Sequence, residues 1–300
     1  IKEQEDVLKK ISMYIKNKMP NLSVLIGVAE TIDDSHIPNL FNSIAMIQNG
    51  TYKIIARKQL LPTYDIFDEK RYFRSARETS IIKLKNESKI WKLGITICED
   101  IWVEENLQRH RTIGPDPIAQ LVQKNIDLLI NISASPFSQD KESLRYKIIS
   151  KASNRLNCPS IYLNQVGGND ELVFDGSSFV VNKKGEIELS LPRCREAICF
   201  WDTANSSSKR KYSFTLTHPQ EQIFESLVLG VKDYAIKCGF TSALIGLSGG
   251  IDSAIVTTIA VAALGDENVS AILMPSPWSS QGSIDDALSL ANRLNIQTKI

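Results

Sequence analysis

Cys98 ends a short apolar run, Trp91-Lys-Leu-Gly-Ile-Thr-Ile97, and is followed at once by Glu99 and Asp100. A thiol in that place can attack a carbonyl carbon, but only as thiolate, which requires a neighbouring cation or base. Most of the run is apolar and its second half is β-branched, as in a strand buried on both faces. An α/β layer exposes reactive side chains to a crevice beyond the ends of such strands. The other reading of Cys98 is a buried structural cysteine. This stretch taken alone leaves both open.

A second chemical stretch lies downstream. Ala243-Leu-Ile-Gly-Leu-Ser248-Gly249-Gly250-Ile251-Asp252-Ser253 joins an apolar strand to a helix through two glycines. Glycines let backbone N–H groups close around an anion, and the helix start adds its positive dipole end. Ser248 and Ser253 can donate to phosphate oxygens. Bare phosphate would repel Asp252, so it reads as facing a magnesium ion or capping the helix. The Walker spacing Gly-x-x-x-x-Gly-Lys-Ser/Thr is absent.

The elements that must position these residues follow from periodicity. A helix is expected over Glu3–Asn17, and strands over Leu22–Ala29, Ser43–Gln48 and Thr51–Arg57, the last two joined by an Asn49-Gly50 turn. Further strands are expected over Thr79–Leu84, Ile90–Ile97, Asp127–Ile132, Pro159–Leu163, Ser177–Val181, Glu186–Leu191 and Glu196–Trp201, with helices over Asp116–Lys124 and Lys141–Leu156. Residues 202–217 change texture, and Ser206–Lys211 reads as a solvated linker. Beyond it, a helix over Pro219–Lys237 precedes strand, helix, strand and helix in alternation, the rhythm of a doubly wound parallel sheet.

Composition narrows the classes. The 300 residues suggest two units, and 43% hydrophobic with 23% charged residues is ordinary for a folded core. A net charge of +1 gives no electrostatic case for a nucleic acid or a membrane surface. Five scattered cysteines, none at zinc-ligand spacing from any of the three histidines, point to a reducing, cytoplasmic compartment. His110, twelve residues after Cys98, lacks the context of a cysteine protease. No apolar run reaches a membrane span. Both ends read as cut inside folded units, Ile1 opening into a helix and Ile296–Ile300 into a strand.

Ser248–Ser253 resembles the ATP loop of the N-type ATP pyrophosphatases, which split ATP into AMP and pyrophosphate to activate a carbonyl as its adenylate. Met274-Pro-Ser-Pro-Trp-Ser-Ser280 and the helix from Asp285 to Ala291 are similar to the NAD synthetase branch, and that resemblance puts Met274 and Ser276 near the adenine. Ala56-Arg57-Lys58 through Tyr64, and Phe67-Asp-Glu69 through Phe73, resemble the lysine-bearing segment of the nitrilase (carbon–nitrogen hydrolase) superfamily. Gly94–Trp102 resembles its nucleophile strand, and Asn131–Phe137 and Asn164–Ser178 continue the pattern in order. As a whole the chain is similar to the glutamine-dependent NAD synthetase family.

That resemblance implies a nitrilase-like αββα sandwich over 1–203, a linker over 204–218 and the start of a doubly wound domain over 219–300. It also implies the chemistry. Cys98 attacks the glutamine amide, Lys58 stabilises the oxyanion, and Glu69 is the auxiliary glutamate. Tyr64, Glu99, Ser135 and Lys141 fall at the glutamine pocket. Ser248, Gly249, Gly250, Ile251, Asp252 and Ser253 hold ATP, with Asp252 on Mg2+. Ammonia then amidates adenylated deamido-NAD, in what is expected to be a homo-oligomer without nucleic-acid or membrane partners. The family's general-base glutamate belongs to a segment expected upstream of Ile1. Two other readings stand: a different ammonia- or sulfur-transferring ATP pyrophosphatase, and a catalytically silent module with the same folds.

Overall fold

The computed structural model describes residues 2–32, 37–64, 66–85, 89–104, 113–203 and 218–300. Residues 204–217 of the linker expected over 204–218, His110, and Asn86 and Glu87 of the turn before Ile90 lie outside the described residues.

Helix α1 (Lys2–Lys18) carries Leu8, Ile11 and Ile15 on one face, three and four residues apart. That stripe covers Val28, Ala45 and Ile47 of an antiparallel sheet built from β1 (Val24–Thr31), β2 (Leu40–Gln48) and β3 (Thr51–Arg57). Asn49 and Gly50 both take positive φ, 54° and 83°, as the tight turn between β2 and β3 demands. Strand β2 alternates across its own sheet. Ala45 and Ile47 face α1, while Ile44 and Met46 face a second sheet.

After the short helix α2 (Glu69–Tyr72), the second sheet takes β4 (Ser80–Lys85), β5 (Ile90–Ile97), β6 (Leu128–Ser133) and β7 (Ser160–Asn164), with α3 (Pro117–Val122) and α4 (Lys141–Leu156) between them. A small hairpin, β8 (Val166–Asn169) and β9 (Leu172–Asp175), precedes β10 (Phe179–Val181) and β11 (Ile187–Ser190). The order is β11-β10-β7-β6-β5-β4, and β5, β6 and β7 run parallel. Ile44, Met46 and Ala56 meet Ile82, Leu93, Ile95 and Ile97 between the two sheets. On the far face Ile118, Leu121, Ile148 and Ile149 from α3 and α4 pack on Tyr162, Phe179 and Val181. The layers are helix, sheet, sheet, helix, as expected. Gly94 lets α3 approach, since a Cβ there would come within 2.6 Å of Ile126 Cδ1 and 3.1 Å of Leu121 Cδ1.

Beyond the undescribed 204–217, α5 (Pro219–Cys238) ends on Gly239 at φ 74°. The parallel sheet β12 (Ala243–Gly246), β13 (Val269–Ile272) and β14 (Gln297–Lys299) alternates with α6 (Ile251–Leu264) and α7 (Gln281–Arg293). Leu247, Val269, Ala271, Leu273, Ala287 and Ala291 form its core. None of the described helices is long and apolar enough to cross a membrane.

One expectation is corrected, and one element was not expected. No strand forms over Glu196–Trp201, where Ile198 and Phe200 stand 92% and 93% exposed. Their period-two spacing points both to solvent, so the alternation marks no core face. Conversely, the β8–β9 hairpin arises in a stretch whose Gly167-Gly168 pair carries little strand propensity. Its bare backbone has a packing use. A Cβ on Gly168 would meet Gly230 Cα of α5 at 3.1 Å, and the Gly168 N–H donates to Asp233 Oδ2 at 2.7 Å. Lys237 Nζ donates to the Gly168 carbonyl, closing the clamp from the same helix.

Candidate active site

A cleft of about 440 Å³ opens where the three parallel strands end, with Cys98 just after β5, Ser133 and Ala134 at the end of β6, and Asn164 and Gln165 at the end of β7. Gly27, Asn42 and Ile44 of the first sheet face them, together with Lys58 just past β3 and Glu69 at the start of α2. The structure therefore brings Cys98, Lys58 and Glu69 into one cavity.

At Cys98 the strand turns abruptly into a single 3₁₀ turn, Cys98–Ile101. Cys98 has φ 45°, a left-handed conformation that costs a residue with a Cβ roughly 1–3 kcal/mol and is held only by its surroundings. Asn131 helps hold it. Its Nδ2 donates to the Cys98 carbonyl at 3.4 Å and to Thr96 Oγ1 at 3.1 Å, and its Oδ1 accepts from Ser133 Oγ at 2.6 Å.

Lys58 is only 1% exposed, and its Nζ donates to Glu69 Oε1 at 2.6 Å. Burial pulls the Lys58 pKa down, but the charges of Cys98 and Glu69 outweigh it and the net shift is upward. The lysine stays an ammonium. For Cys98, burial pushes the thiol up, Lys58 opposes, and Glu99 and Glu69 push it up again. The resting sulfur is therefore protonated, and attack requires a base that takes its proton as the new bond forms. Glu69 Oε2 is buried without a hydrogen-bond partner among the described residues.

Tyr64, Glu99, Ser135 and Lys141 do not line this cleft. The Tyr64 hydroxyl donates to both oxygens of the buried Glu99 carboxylate at 3.1 Å, and burial and Glu99 raise the phenol above its usual range. Lys141, the first residue of α4, lies with its Nζ 5.9 Å from the Trp102 ring centre. Burial and then Arg145 lower its pKa, against the charges of Cys98 and Glu99. Ser135 is 3% exposed, and its hydroxyl accepts from Arg145 Nε at 3.2 Å instead of opening to the cavity.

Sequence reasoning missed Arg145 and Asp175. Arg145 is fully buried, and every donor of its guanidinium is used. Nη1 reaches both oxygens of Asp175 (2.8 and 2.9 Å), Nη2 donates to the carbonyls of Ser135 and Pro136 (2.7 and 2.9 Å), and Nε donates to Ser135 Oγ. This pair ties α4, the loop after β6 and the end of β9 together behind the cleft. A lone arginine in an amphipathic helix gives no signal of that. Asn164 was within reach, standing in the quoted motif. Its Oδ1 accepts from the Ser135 N–H at 2.8 Å and its Nδ2 donates to the Ser135 carbonyl at 3.1 Å.

In the second unit, Ser248–Ser253 leaves β12 and opens α6 as expected. Ser248 Oγ and Ser253 Oγ lie 3.0 Å apart, the Gly250 N–H donates to Ser248 Oγ at 3.3 Å, and the Ser248 N–H donates to Ser253 Oγ at 3.2 Å. Helix α6 starts at Ile251, with Gly250 at the N-cap. Asp252 is thus inside the first turn, exposed, and caps nothing, which removes the capping alternative. Met274, 77% exposed, follows β13 on the same side of the sheet as this loop, and Ser276 Oγ accepts from the Trp278 N–H in a local turn. Gly249 has φ 83°, and a Cβ there would be driven into the Ser283 carbonyl of α7. Gly249→Ala is expected to weaken nucleotide binding at least about tenfold by forcing the loop off α7. Equilibrium binding of ATP reads this directly, and unchanged affinity contradicts it.

A thiol at a strained strand end shares one cleft with a buried ammonium–carboxylate pair, between the two sheets of an αββα layer. Residues 3–204 match the carbon-nitrogen hydrolase family model, and the chain belongs to that family. Residues 223–300 match the NAD synthase family model. The chain is similar to the glutamine-dependent NAD(+) synthetase of Synechocystis sp., 43% identical over 97% of this chain and 53% of that protein. It is also similar to that of Thermotoga maritima, 33% identical over 100% of this chain and 54% of that protein. Among solved structures it resembles the glutamine-dependent NAD+ synthetase of Acinetobacter baumannii in complex with adenosine diphosphate, with a TM-score of 0.84 and 32% identity over 99% of this chain and 52% of that one. The chain spans about half the length of these relatives.

Proposed function

We propose that the protein is a glutamine-dependent NAD synthetase, in which the first unit releases ammonia and the second activates its acceptor. The observation that carries this reading is the pairing on one chain of the Cys98–Lys58–Glu69 cleft with the Ser248–Ser253 phosphate loop. Cys98 Sγ bonds to the amide carbon of glutamine as a base removes the thiol proton, and the developing oxyanion lies by the Lys58 ammonium. The C–N bond then breaks, ammonia leaves with the transferred proton, and water hydrolyses the thioester to glutamate. Glu69 holds Lys58 in place. Tyr64, Glu99, Ser135 and Lys141 lie outside the cleft lining and belong to this reading as a shell behind it, Glu99 and Lys141 matching in sign the cation and the anion at the amino-acid end of glutamine.

The second unit uses ATP to convert the carboxylate of deamido-NAD to its adenylate, releasing pyrophosphate, and ammonia displaces AMP to give NAD. Backbone N–H groups of Gly249, Gly250 and Ile251, with the Ser248 and Ser253 hydroxyls, bind the phosphates. Met274 and Ser276 lie toward the adenine. Asp252 fits an Mg2+ site, since this ion takes one or two carboxylates plus phosphate oxygens and the exposed Asp252 carboxylate stands beside the loop. Bound there, Mg2+ offsets phosphate charge. The domain limits 1–203 and 219–300, a cytoplasmic location and a homo-oligomeric assembly belong to the same reading. The test is ATP–pyrophosphate exchange by the full-length protein. Exchange that requires deamido-NAD is expected, and exchange indifferent to it contradicts the assignment.

A further inference from the structure

Asp100 is 3% exposed, two residues past the nucleophile, and has no part in the chemistry above. Its carboxylate is nonetheless fully engaged. Oδ1 accepts from the N–H of Gln59 (3.0 Å) and of Leu60 (2.8 Å), and Oδ2 accepts from the N–H of Ile97 (3.1 Å). Gln59 and Leu60 belong to the loop that carries Lys58, and no sheet or helix ladder includes them. Ile97 is the last strand residue before Cys98. One side chain thus bridges the two segments that deliver the ammonium and the sulfur, from opposite sheets.

We propose that Asp100 is a positioning residue for the amide-cleaving reaction, its carboxylate clamping the Lys58 loop to the Cys98 turn. The inference rests on the amide-cleaving reading of the cleft. The rest of Lys58 shows why a clamp is needed. Its N–H donates to the Asn42 carbonyl and its carbonyl accepts from Ala76, which fix it to the first sheet and to the loop before β4 but not to Cys98. Glu69 holds the ammonium end, and Glu69 also belongs to the loop side. Across to the Lys58 loop, Asp100 supplies two hydrogen bonds at once, and a third, to Ile97, fixes its own 3₁₀ turn at the strand end. Burial lifts its carboxyl to about 6, against the Leu60 and Ile97 N–H groups and the Lys58 charge, so it is ionised at neutral pH and both oxygens accept.

An amide cannot do the same. In Asp100→Asn one oxygen becomes an NH2 group, which must face either the Ile97 N–H or the Gln59–Leu60 pair, donor against donor. Either the two bonds across to the Lys58 loop are lost, or the Ile97 bond that fixes the Cys98 turn is, so one end of the clamp is loosened whichever way the side chain turns. In full-length protein, D100N is expected to lower kcat for glutamine hydrolysis about 30- to 100-fold while KM stays within about threefold, as for a group misplaced by about an ångström. The second readout is the pH dependence of Cys98 alkylation by iodoacetamide. The charged groups that bear on this sulfur are Lys58, Glu69, Glu99, Lys141 and Arg145, and the Tyr64 and Tyr162 phenols, both raised by burial, couple to it as well. With Lys58 displaced, the alkylation midpoint is expected to rise by about one pH unit. Asp100→Glu, which keeps two accepting oxygens on one charge, is expected to recover most of that shift.

A lower melting temperature with kcat and midpoint both unchanged would make Asp100 a merely structural residue and overturn the proposal. If the native protein fails to hydrolyse glutamine, the substrate reading fails, and the midpoint shift alone decides the positioning role. If D100N does not fold, amide exchange in the native protein decides. The Gln59 and Leu60 N–H groups are expected to be protected at least about a thousandfold, and exchange at unstructured rates overturns the clamp.

Discussion

Cys98→Ala in the full-length protein is expected to lower glutamine-dependent NAD formation by at least about a thousandfold, while formation from ammonium salts stays within about threefold of the native rate. The asymmetry follows from the layout. In the proposed reaction the sulfur is the atom that bonds to the amide carbon, and neither Lys58 nor Glu69 can substitute for it. Ammonia supplied from outside bypasses that step and needs only the nucleotide-binding unit, whose core of Leu247, Val269, Ala271 and Ala287 is separate. Parallel assays with glutamine and with ammonium read both arms. Loss of both activities would mean that Cys98 supports the whole fold, and retention of both would remove it from the chemistry.

Arg145→Met is expected to destabilise the first unit by about 3–5 kcal/mol, because it leaves the Asp175 carboxylate buried and uncompensated and takes the guanidinium donor from the Pro136 carbonyl and from the Ser135 carbonyl, which keeps Asn164 Nδ2. Asp175 is only 1% exposed and takes both oxygens' hydrogen bonds from this one guanidinium. For a unit of this size the melting temperature should fall by roughly 10 °C. Combining Arg145→Met with Asp175→Leu should recover much of the loss, since the buried charge then disappears together with its partner. A melting temperature within about 2 °C of native for the single variant would show that the pair contributes little.

Much of the site was legible in the sequence because its residues sit at the ends of strongly patterned elements. Ile95-Thr-Ile97 is apolar and β-branched, so the strand and its terminal Cys98 could be placed together. Asn49-Gly50 announced the turn that leads through β3 to Lys58, and the glycines between Leu247 and Ile251 announced the phosphate loop. What stayed hidden depends on contacts far apart in the chain. Arg145 lies on a helix whose polar residues mostly meet solvent, and only the fold brings Asp175 to it, thirty residues on. Asp100 read as one of two acids beside the thiol, yet it is spent on backbone N–H groups about forty residues upstream. Ile198 and Phe200 mimicked a strand because alternation fixes a face without saying whether anything covers it. Gly167-Gly168 concealed a hairpin because the backbone approach of α5, not side-chain propensity, selects it.

Under the proposed function, nitrogen freed at Cys98 ends in the product primed at the Ser248–Ser253 loop. Incubating the full-length protein with ATP, deamido-NAD and glutamine labelled with 15N at the side-chain amide tests it most directly. The account predicts NAD labelled at its carboxamide, with one AMP and one pyrophosphate formed for each NAD. Unlabelled product, or glutamine left intact while NAD forms, would contradict it.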